Sequence, residues 1–108
     1  MVYFDKNDDI VEWSSEELFI PYRSPADNRV RRYFPDFLIK TINNEKILIE
    51  IKPKIQTLPP EKGKKKKKRY LNEVITYGIN KAKWDAAESY CNKKGWRFEI
   101  LTERELPL

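Results

Sequence analysis

The sequence contains no histidine, and this absence excludes more chemistry than any other feature of its composition. Without histidine there is no Ser-His-Asp or Cys-His nucleophilic centre, no imidazole general base and no zinc site of the usual kind. The single cysteine, Cys91, cannot form an internal disulfide, which favours a reducing intracellular setting. The three glycines, at positions 63, 78 and 95, cannot supply a dinucleotide-binding fingerprint or a phosphate loop. Catalysis would therefore have to use carboxylates, lysines and a bound metal ion.

Long apolar runs are missing as well. Met1–Asp9 lack the apolar stretch of a signal peptide, and the apolar runs Leu18–Ile20 and Ile47–Ile49 are only strand-sized. We therefore expect no association with membranes. With 108 residues, of which 40% are hydrophobic and 13% aromatic, the chain fits one small domain that spans residues 1–108 and has a modest core.

The net charge of +5 comes from one local feature of the sequence. Six of the 22 Lys and Arg residues form the uninterrupted run Lys64–Arg69, which leaves 16 basic residues against 17 acidic ones. Such a run can hold the backbone of a nucleic acid by releasing counterions, without regard to base sequence. A solvated surface loop explains the run equally well.

Hydrophobic periodicity predicts an α/β or α+β fold. A helix is expected over Tyr70–Lys94, where apolar residues recur at steps of three and four, and Gly95 can supply its left-handed C-terminal cap. Pro53–Arg69, with its prolines and lysines, is predicted to form a basic mobile loop. The strand patterns predict a small mixed sheet of about four strands, with the long helix between strands 3 and 4. These patterns cover Val11–Tyr22, Val30–Ile42, Ile47–Lys52 and Trp96–Leu101.

Acidic residues stand in two of these predicted strands, where a plain core strand would avoid them. Asp36 lies in the second strand, and Glu50 and Lys52 end the third. Alternation places Glu50 and Lys52 on one face, roughly 7 Å apart, and the isoleucines at 47, 49 and 51 on the face toward the core. Carboxylates can hold a hard cation that polarises a phosphate, while a lysine stabilises the developing charge. The pattern favours a metal-dependent site for phosphodiester cleavage.

The turn between the second and third strands decides whether these side chains meet. A two-residue loop, Asn43-Asn44, would turn the Asp36 side chain to the wrong face. A three-residue loop, Asn43–Glu45, would pair Asp36 with Lys52 and leave it diagonal to Glu50, roughly 7–8 Å away between Cα atoms. A metal site formed by Asp36 and Glu50 therefore predicts a loop with an odd number of residues. A charged edge hairpin that discourages pairing between molecules is the structural alternative.

Two motifs, Tyr33-Phe34-Pro35-Asp36-Phe37 and Ile49-Glu50-Ile51-Lys52-Pro53, resemble the core of the PD-(D/E)XK nucleases. More closely, the chain resembles the TnsA N-terminal endonuclease group and the head completion nucleases of tailed phages. The similarity extends over nearly the whole chain. It includes Trp13–Glu17, Pro21–Pro25, Lys83–Ala87 and Gly95–Leu106.

The resemblance implies a restriction-endonuclease-like core that cleaves DNA with Mg²⁺ or Mn²⁺. It implies metal ligation by Asp36, Glu50 and the carbonyl of Ile51, with Lys52 as the catalytic lysine. It further implies a role in phage DNA packaging or head completion, in the infected host cytoplasm or the virion, with head or portal proteins or a second copy as partners. Family members usually carry another acidic residue on a helix before the first strand. Met1–Asp9 lack a helical pattern, so this helix is predicted to be missing.

Basic residues near Asp36 and in the lysine run are the candidates for holding DNA. Alternation places Arg32 on the face of Asp36, where it could contact a phosphate, although an exposed strand cation is the simpler explanation. The chain has no base-reading motif, so we expect recognition of DNA shape or structure. The candidate DNA-binding residues are Arg29, Arg31, Arg32, Lys64, Lys65, Lys66, Lys67, Lys68 and Arg69.

Three hypotheses remain open at this point. The first is a metal-dependent DNA endonuclease of phage origin. The second is a catalytically impaired DNA-binding or assembly module that keeps the nuclease fold, which the predicted loss of the acidic helix favours. The third is an unrelated small α/β domain whose basic loop binds an anionic partner.

Overall fold

The computed structural model describes the backbone of residues 10–15 and the whole of residues 18–105. The predicted absence of a helix over Met1–Asp9 lies outside the described residues. Within them, six strands, one short 3-10 helix and one long α-helix follow each other along the chain. They are β1 (Ile10–Ser15), β2 (Ile20–Arg23), β3 (Val30–Tyr33), β4 (Phe37–Thr41), β5 (Lys46–Ile51), the 3-10 helix (Lys54–Thr57), α1 (Lys67–Lys94) and β6 (Arg97–Leu101).

The strands form two sheets, and the larger one has the predicted mixed character. Its order is β1-β4-β5-β6, and β2 and β3 make a separate two-stranded sheet. β4 is antiparallel to both β1 and β5, whereas β6 is parallel to β5. A parallel neighbour needs a crossover connection, and α1 provides it. The α/β fold class, with a four-stranded mixed sheet and one long helix before its last strand, is confirmed.

The prediction of one strand over Val30–Ile42 is wrong. β3 ends at Tyr33 and β4 begins at Phe37, and the two strands belong to different sheets. Pro35 lies in the gap, and a proline has no N–H with which to continue a strand ladder. The first predicted strand, Val11–Tyr22, is likewise divided into β1 and β2.

The β4–β5 hairpin has a three-residue loop, so the predicted odd loop length is confirmed. Phe37 pairs with Ile49 and Lys40 with Lys46, and the Thr41 amide donates to the Glu45 carbonyl at 2.9 Å. The loop is therefore 42–44, one residue earlier than expected. The predicted pairing of Asp36 with residue 52 is wrong, because this register brings Asp36 level with residue 50. Asn44 permits the tight closure by adopting a left-handed conformation, with φ of 63°.

β5 is buried on both faces, and its main core lies on the side opposite to the one predicted. The side chain of Leu48 joins α1 and the two-stranded sheet in the larger core cluster. Ile47 and Ile49 form a smaller cluster with Ile39 on the other face, and Ile51 packs against it. Alternation then places Glu50 on the side of Leu48, facing the main core. That cluster consists of Ile20, Tyr22, Tyr33, Leu48, Trp84, Ala87 and Cys91.

α1 confirms the predicted helix but begins at Lys67, three residues before Tyr70. The predicted loop over 53–69 is therefore too long at its C-terminal end, and it also contains the 3-10 helix. The lysine side chains at the start of α1 repel one another. They remain exposed to water, so the helix can begin among them. No helix in the described part of the chain is long and apolar enough to cross a membrane.

Gly95 ends α1 in the predicted left-handed conformation, with φ of 74°, and its amide and that of Trp96 donate to carbonyls of the last turn. We expect Gly95→Ala to lower the free energy of unfolding by about 1 kcal/mol, because alanine is strained at positive φ. Gly78 is the matched control: it lies inside α1, and a Cβ there would meet only Pro25 at an ordinary 3.7 Å. Gly78→Ala should be neutral or stabilising. Urea unfolding of both variants tests this pair, and equal effects would contradict it.

Candidate active site

Three side chains from separate parts of the chain meet at the C-terminal end of β5. Glu50 is only 6% exposed, and its Oε2 accepts a hydrogen bond of 2.9 Å from the Tyr33 hydroxyl at the end of β3. Asp36, in the gap before β4, accepts a hydrogen bond of 2.7 Å from the Ile51 amide through its Oδ2. Two carboxyl groups are therefore fixed side by side at the end of one strand.

The break in the chain at Pro35 is what brings Asp36 to this position. Pro35 is buried, and immediately after it the Asp36 amide donates to the Ile49 carbonyl at 3.0 Å. The Asp36 side chain then binds the Ile51 amide on the same strand. Asp36 is thus held to β5 at two points, by its backbone and by its carboxylate.

The local environment raises the pKa of Glu50 to about 7. Burial is the largest cause, and hydrogen bonding with the Asp36 carboxyl acts in the same direction, since two adjacent carboxylates are easier to hold when they share a proton. The Tyr33 hydroxyl and the positive charge of Lys52 act in the opposite direction. Burial, followed by the negative charge of Glu50, raises the pKa of Tyr33, so that its hydroxyl stays protonated and remains a donor.

Lys52 follows β5 directly and lies half-buried within electrostatic range of Glu50. Its amide donates to the Leu101 carbonyl at 3.0 Å, which extends the pairing of β5 with β6 beyond the last strand residue. The backbone of Lys52 is therefore fixed, while the long side chain can reach along the sheet end. The structure brings Asp36, Glu50 and Lys52 together as the sequence predicts, and their catalytic roles stay predictions.

The donor set at this position fits a hard divalent cation. The Asp36 carboxyl accepts from the Ile51 amide and also hydrogen-bonds with Glu50, whose pKa is raised. A cation bound between the two carboxylates would take the place of the proton that they share. The Ile51 carbonyl is the third predicted oxygen ligand. Among the residues that the structure describes, no group of three His, Cys, Asp or Glu side chains could hold a metal. A site with two carboxylates and one backbone carbonyl suits Mg²⁺, which commonly binds one or two carboxylates and completes its shell with water and phosphate oxygens.

The contacts of the predicted arginines are with other residues than the carboxyl pair. Arg31 forms an ion pair with Asp27, and the guanidinium of Arg32 lies over the Phe19 ring, 4.9 Å from its centroid. The break at Pro35 removes the alternation from which Arg32 was expected to share a face with Asp36. Arg29 lies in the exposed turn before β3.

The lysine run surrounds the beginning of α1. Lys65 forms an ion pair with Glu73 at 2.9 Å, and Arg69 lies 3.8 Å from the same carboxylate. The first turn of α1 contains no acidic residue, and no side chain caps it. The remaining four cations are exposed and form no ion pair with the described residues. They are Lys64, Lys66, Lys67 and Lys68.

Tyr33 is the residue of this site that sequence analysis did not assign. It stands in the Tyr-Phe-Pro-Asp-Phe motif, but its pattern is that of any inward-facing strand residue. The signal available was its position three residues before Asp36 with a proline between them. Only the contact with Glu50, 17 positions away in the sequence, reveals its function at the site.

The chain is a small α/β domain, a mixed sheet crossed by one helix, with paired carboxyl groups at the end of a central strand. The model of the TnsA-like endonuclease N-terminal family matches residues 7–103, and the chain belongs to this family. The head completion nuclease of Enterobacteria phage T4 is 44% identical to it over 105 residues, which cover 94% of this chain and 70% of the phage protein. No solved structure matches the chain significantly. The resemblance to the TnsA N-terminal endonuclease group and the phage head completion nucleases is thus confirmed.

Glu50 makes the stability of the metal-free protein depend on pH. Its pKa of about 7 in the folded state exceeds the ordinary 4.5, so the folded state retains a proton that the unfolded chain has lost. The free energy of unfolding should therefore fall between about pH 4.5 and 7 and stay reduced above that range, by on the order of 3 kcal/mol. Glu50→Gln should remove this fall and be the more stable protein at pH 8.

Urea unfolding of both proteins at several pH values, in EDTA, measures this difference. Glu61→Gln, which removes an exposed carboxylate from the loop before α1, is the control and should follow the wild type. Parallel pH profiles of wild type and Glu50→Gln would contradict the prediction.

Tyr33 should hold the Glu50 carboxylate in its ionised form. We expect Tyr33→Phe to raise the pKa of Glu50 further and to lower the free energy of unfolding by about 1 kcal/mol, because the buried carboxylate loses its donor. An NMR pH titration of the Glu50 carboxyl carbon measures the change. Tyr22→Phe is the matched control, since Tyr22 is a buried tyrosine of the same core. An unchanged pKa in Tyr33→Phe would show that the hydroxyl does not act on Glu50.

Proposed function

We propose that this chain is a metal-dependent endonuclease that hydrolyses phosphodiester bonds in DNA. The observation that carries the proposal is the carboxyl pair of buried Glu50 and half-buried Asp36, fixed beside Lys52 at the end of β5. Membership of an endonuclease family agrees with that chemistry. Two adjacent carboxyl groups of which one is buried are costly to hold in their ionised forms, and a bound cation is the simplest compensation.

Asp36, Glu50 and the Ile51 carbonyl would hold Mg²⁺ or Mn²⁺. When bound, such an ion polarises a phosphate and lowers the pKa of a coordinated water. The Ile51 amide keeps one oxygen of Asp36 in place, which orients the other. The Tyr33 hydroxyl orients Glu50 in the same manner. Lys52 carries the positive charge that can assist the attacking water and stabilise the charge developing on the phosphate.

The lysines around the start of α1 would hold the DNA backbone. The N-terminal end of a helix carries a partial positive charge, and the exposed lysines add to it. This arrangement is unfavourable in the free protein, and DNA phosphates would relieve it. Contacts of this kind are salt-sensitive and independent of base sequence.

The biological setting we propose follows from the phage relative, which is named a head completion nuclease. The chain would process DNA during packaging or head completion, in the infected host cell or the virion. Its further partners would then be phage head or portal proteins, or a second copy of the chain.

A catalytically impaired DNA-binding or assembly module is the second candidate. The observation that favours it is the number of carboxylates: within residues 18–105 the site has a pair and no third acidic group. A module of this kind would keep the lysine cluster and bind DNA without cutting it.

Plasmid nicking in Mg²⁺ or Mn²⁺ tests the first candidate. We expect the wild type to nick supercoiled DNA, and Asp36→Asn and Lys52→Met to lose at least about 100-fold in rate. The first substitution removes a charged metal ligand, and the second removes the positive charge beside the reacting phosphate. Lys62→Met removes an exposed cation outside the predicted site and is the control.

The unfolding midpoints of the variants show whether each remains folded. Nicking that persists in Asp36→Asn at the wild-type rate would overturn the proposed site. DNA binding that weakens with salt, without cleavage in any metal, would establish the second candidate instead.

A further inference from the structure

The two-stranded sheet has one buried face and one face open to solvent. β2 and β3 pair so that Ile20 lies opposite Tyr33 and Pro21 opposite Arg32. Ile20, Tyr22 and Tyr33 point into the main core. Alternation turns the neighbouring side chains outward, and they form the outer β2–β3 face. This face consists of Phe19, Pro21, Arg23, Val30, Arg32 and Phe34.

Two aromatic rings and a guanidinium group touch one another on this face. The ring centroids of Phe19 and Phe34 are 6.1 Å apart, and the Arg32 guanidinium lies 4.9 Å from the centroid of Phe19. Phe19 is 43% exposed and Phe34 52%. Burying a phenylalanine completely stabilises a protein by about 1.5–3 kcal/mol. Phe19 and Phe34 are about half exposed, so a partner that covers them would gain part of this free energy.

The outer β2–β3 face adjoins the candidate active site. Phe34 precedes Pro35, and the next residue is Asp36, whose carboxylate binds the Ile51 amide. Two residues of extended chain span about 7 Å. The backbone of Phe34 therefore lies within about 7 Å of the backbone of Asp36, the residue that we expect to hold the metal.

The charge of the outer β2–β3 face indicates what kind of partner it binds. It carries two arginines, Arg23 and Arg32, and none of its six residues is acidic. The two rings are inclined at 51° to each other, so each presents its own face, and the Arg32 guanidinium lies beside them. An exposed ring next to a guanidinium group matches the π-face of a nucleobase whose neighbours are phosphates. Paired bases inside a uniform duplex are stacked on each other and do not offer that face.

We propose that the outer β2–β3 face stacks on an unpaired nucleobase of the DNA substrate, next to the phosphate that is cut. The inference rests on the proposed nuclease function and adds a substrate class to it: DNA with single-stranded nucleotides at an end, a gap or a flap. Phe34 and Phe19 provide the stacking surface, and Arg32 binds the adjoining backbone. The lysines at the start of α1 hold the duplex without regard to its structure.

A thermodynamic cycle on the full chain tests this contact. Fluorescence anisotropy in EDTA, where no strand is cut, measures the affinity for a labelled duplex with a short single-stranded overhang. A second duplex carries abasic sugars in the overhang, and a third is blunt. We expect Phe34→Ala to weaken binding to the normal overhang about tenfold and to leave binding to the other two unchanged. Phe34→Trp should retain the wild-type preference.

Ile42→Ala provides the matched control, because Ile42 is an exposed apolar residue, 59% accessible, at the distant β4–β5 turn. It should bind all three duplexes as the wild type does. If Phe34→Ala and Phe19→Ala bind the normal and abasic overhangs as the wild type does, the proposal is wrong, and a protein partner for this face gains support. A wild type that binds none of the three duplexes also overturns it.

The nicking assay separates this proposal from the proposed function. Base-dependent binding that is lost in Phe34→Ala, in a chain that cuts no DNA, would support the stacking face and reject the nuclease. Cleavage that depends on Asp36, with no difference between normal and abasic overhangs, would support the nuclease and reject the stacking face.

Discussion

The hydrogen bond from the Ile51 amide to the Asp36 carboxylate is the contact on which the candidate site depends. It is 2.7 Å long, and it joins the end of β5 to the gap between β3 and β4. The Asp36 amide adds a second bond to the same strand at Ile49. Together these bonds carry the chain from the two-stranded sheet into the four-stranded one. Without them, the two carboxyl groups would have no fixed relation to each other.

Glu50 shows that the fold tolerates an unfavourable group in its interior. It projects on the same side of β5 as Leu48, toward the cluster that α1 completes, and it is nearly inaccessible to water. A leucine there would stabilise the fold more than a carboxyl group whose pKa is raised by burial. The Tyr33 hydroxyl and the Asp36 carboxyl offset only part of that cost. Such a conflict between stability and local chemistry is typical of functional sites.

Two further surfaces carry unsatisfied interactions, and they lie on different parts of the molecule. The start of α1 concentrates positive charge at the positive end of a helix of 28 residues, about 42 Å long. The outer β2–β3 face exposes aromatic rings beside arginines. The first surface suits a phosphate backbone and the second a base. Together with the carboxyl pair, they are the three surfaces of this 108-residue chain that we propose contact DNA.

The sequence by itself determined the features that depend on near neighbours along the chain. Strand alternation located Glu50 and Lys52, helical periodicity located α1, and Gly95 marked its end. The need for Asp36 to face Glu50 also predicted the odd loop length of the β4–β5 hairpin.

Only the tertiary structure decided the features that depend on distant residues. It divided the second predicted strand at Pro35, because β3 and β4 find partners in different sheets. It also decided which face of β5 meets α1. Both faces of that strand are buried, so strand alternation alone could not distinguish them. The tertiary structure also joined Tyr33 to Glu50. Local patterns fix which side chains share a face, but packing between elements fixes what each face meets.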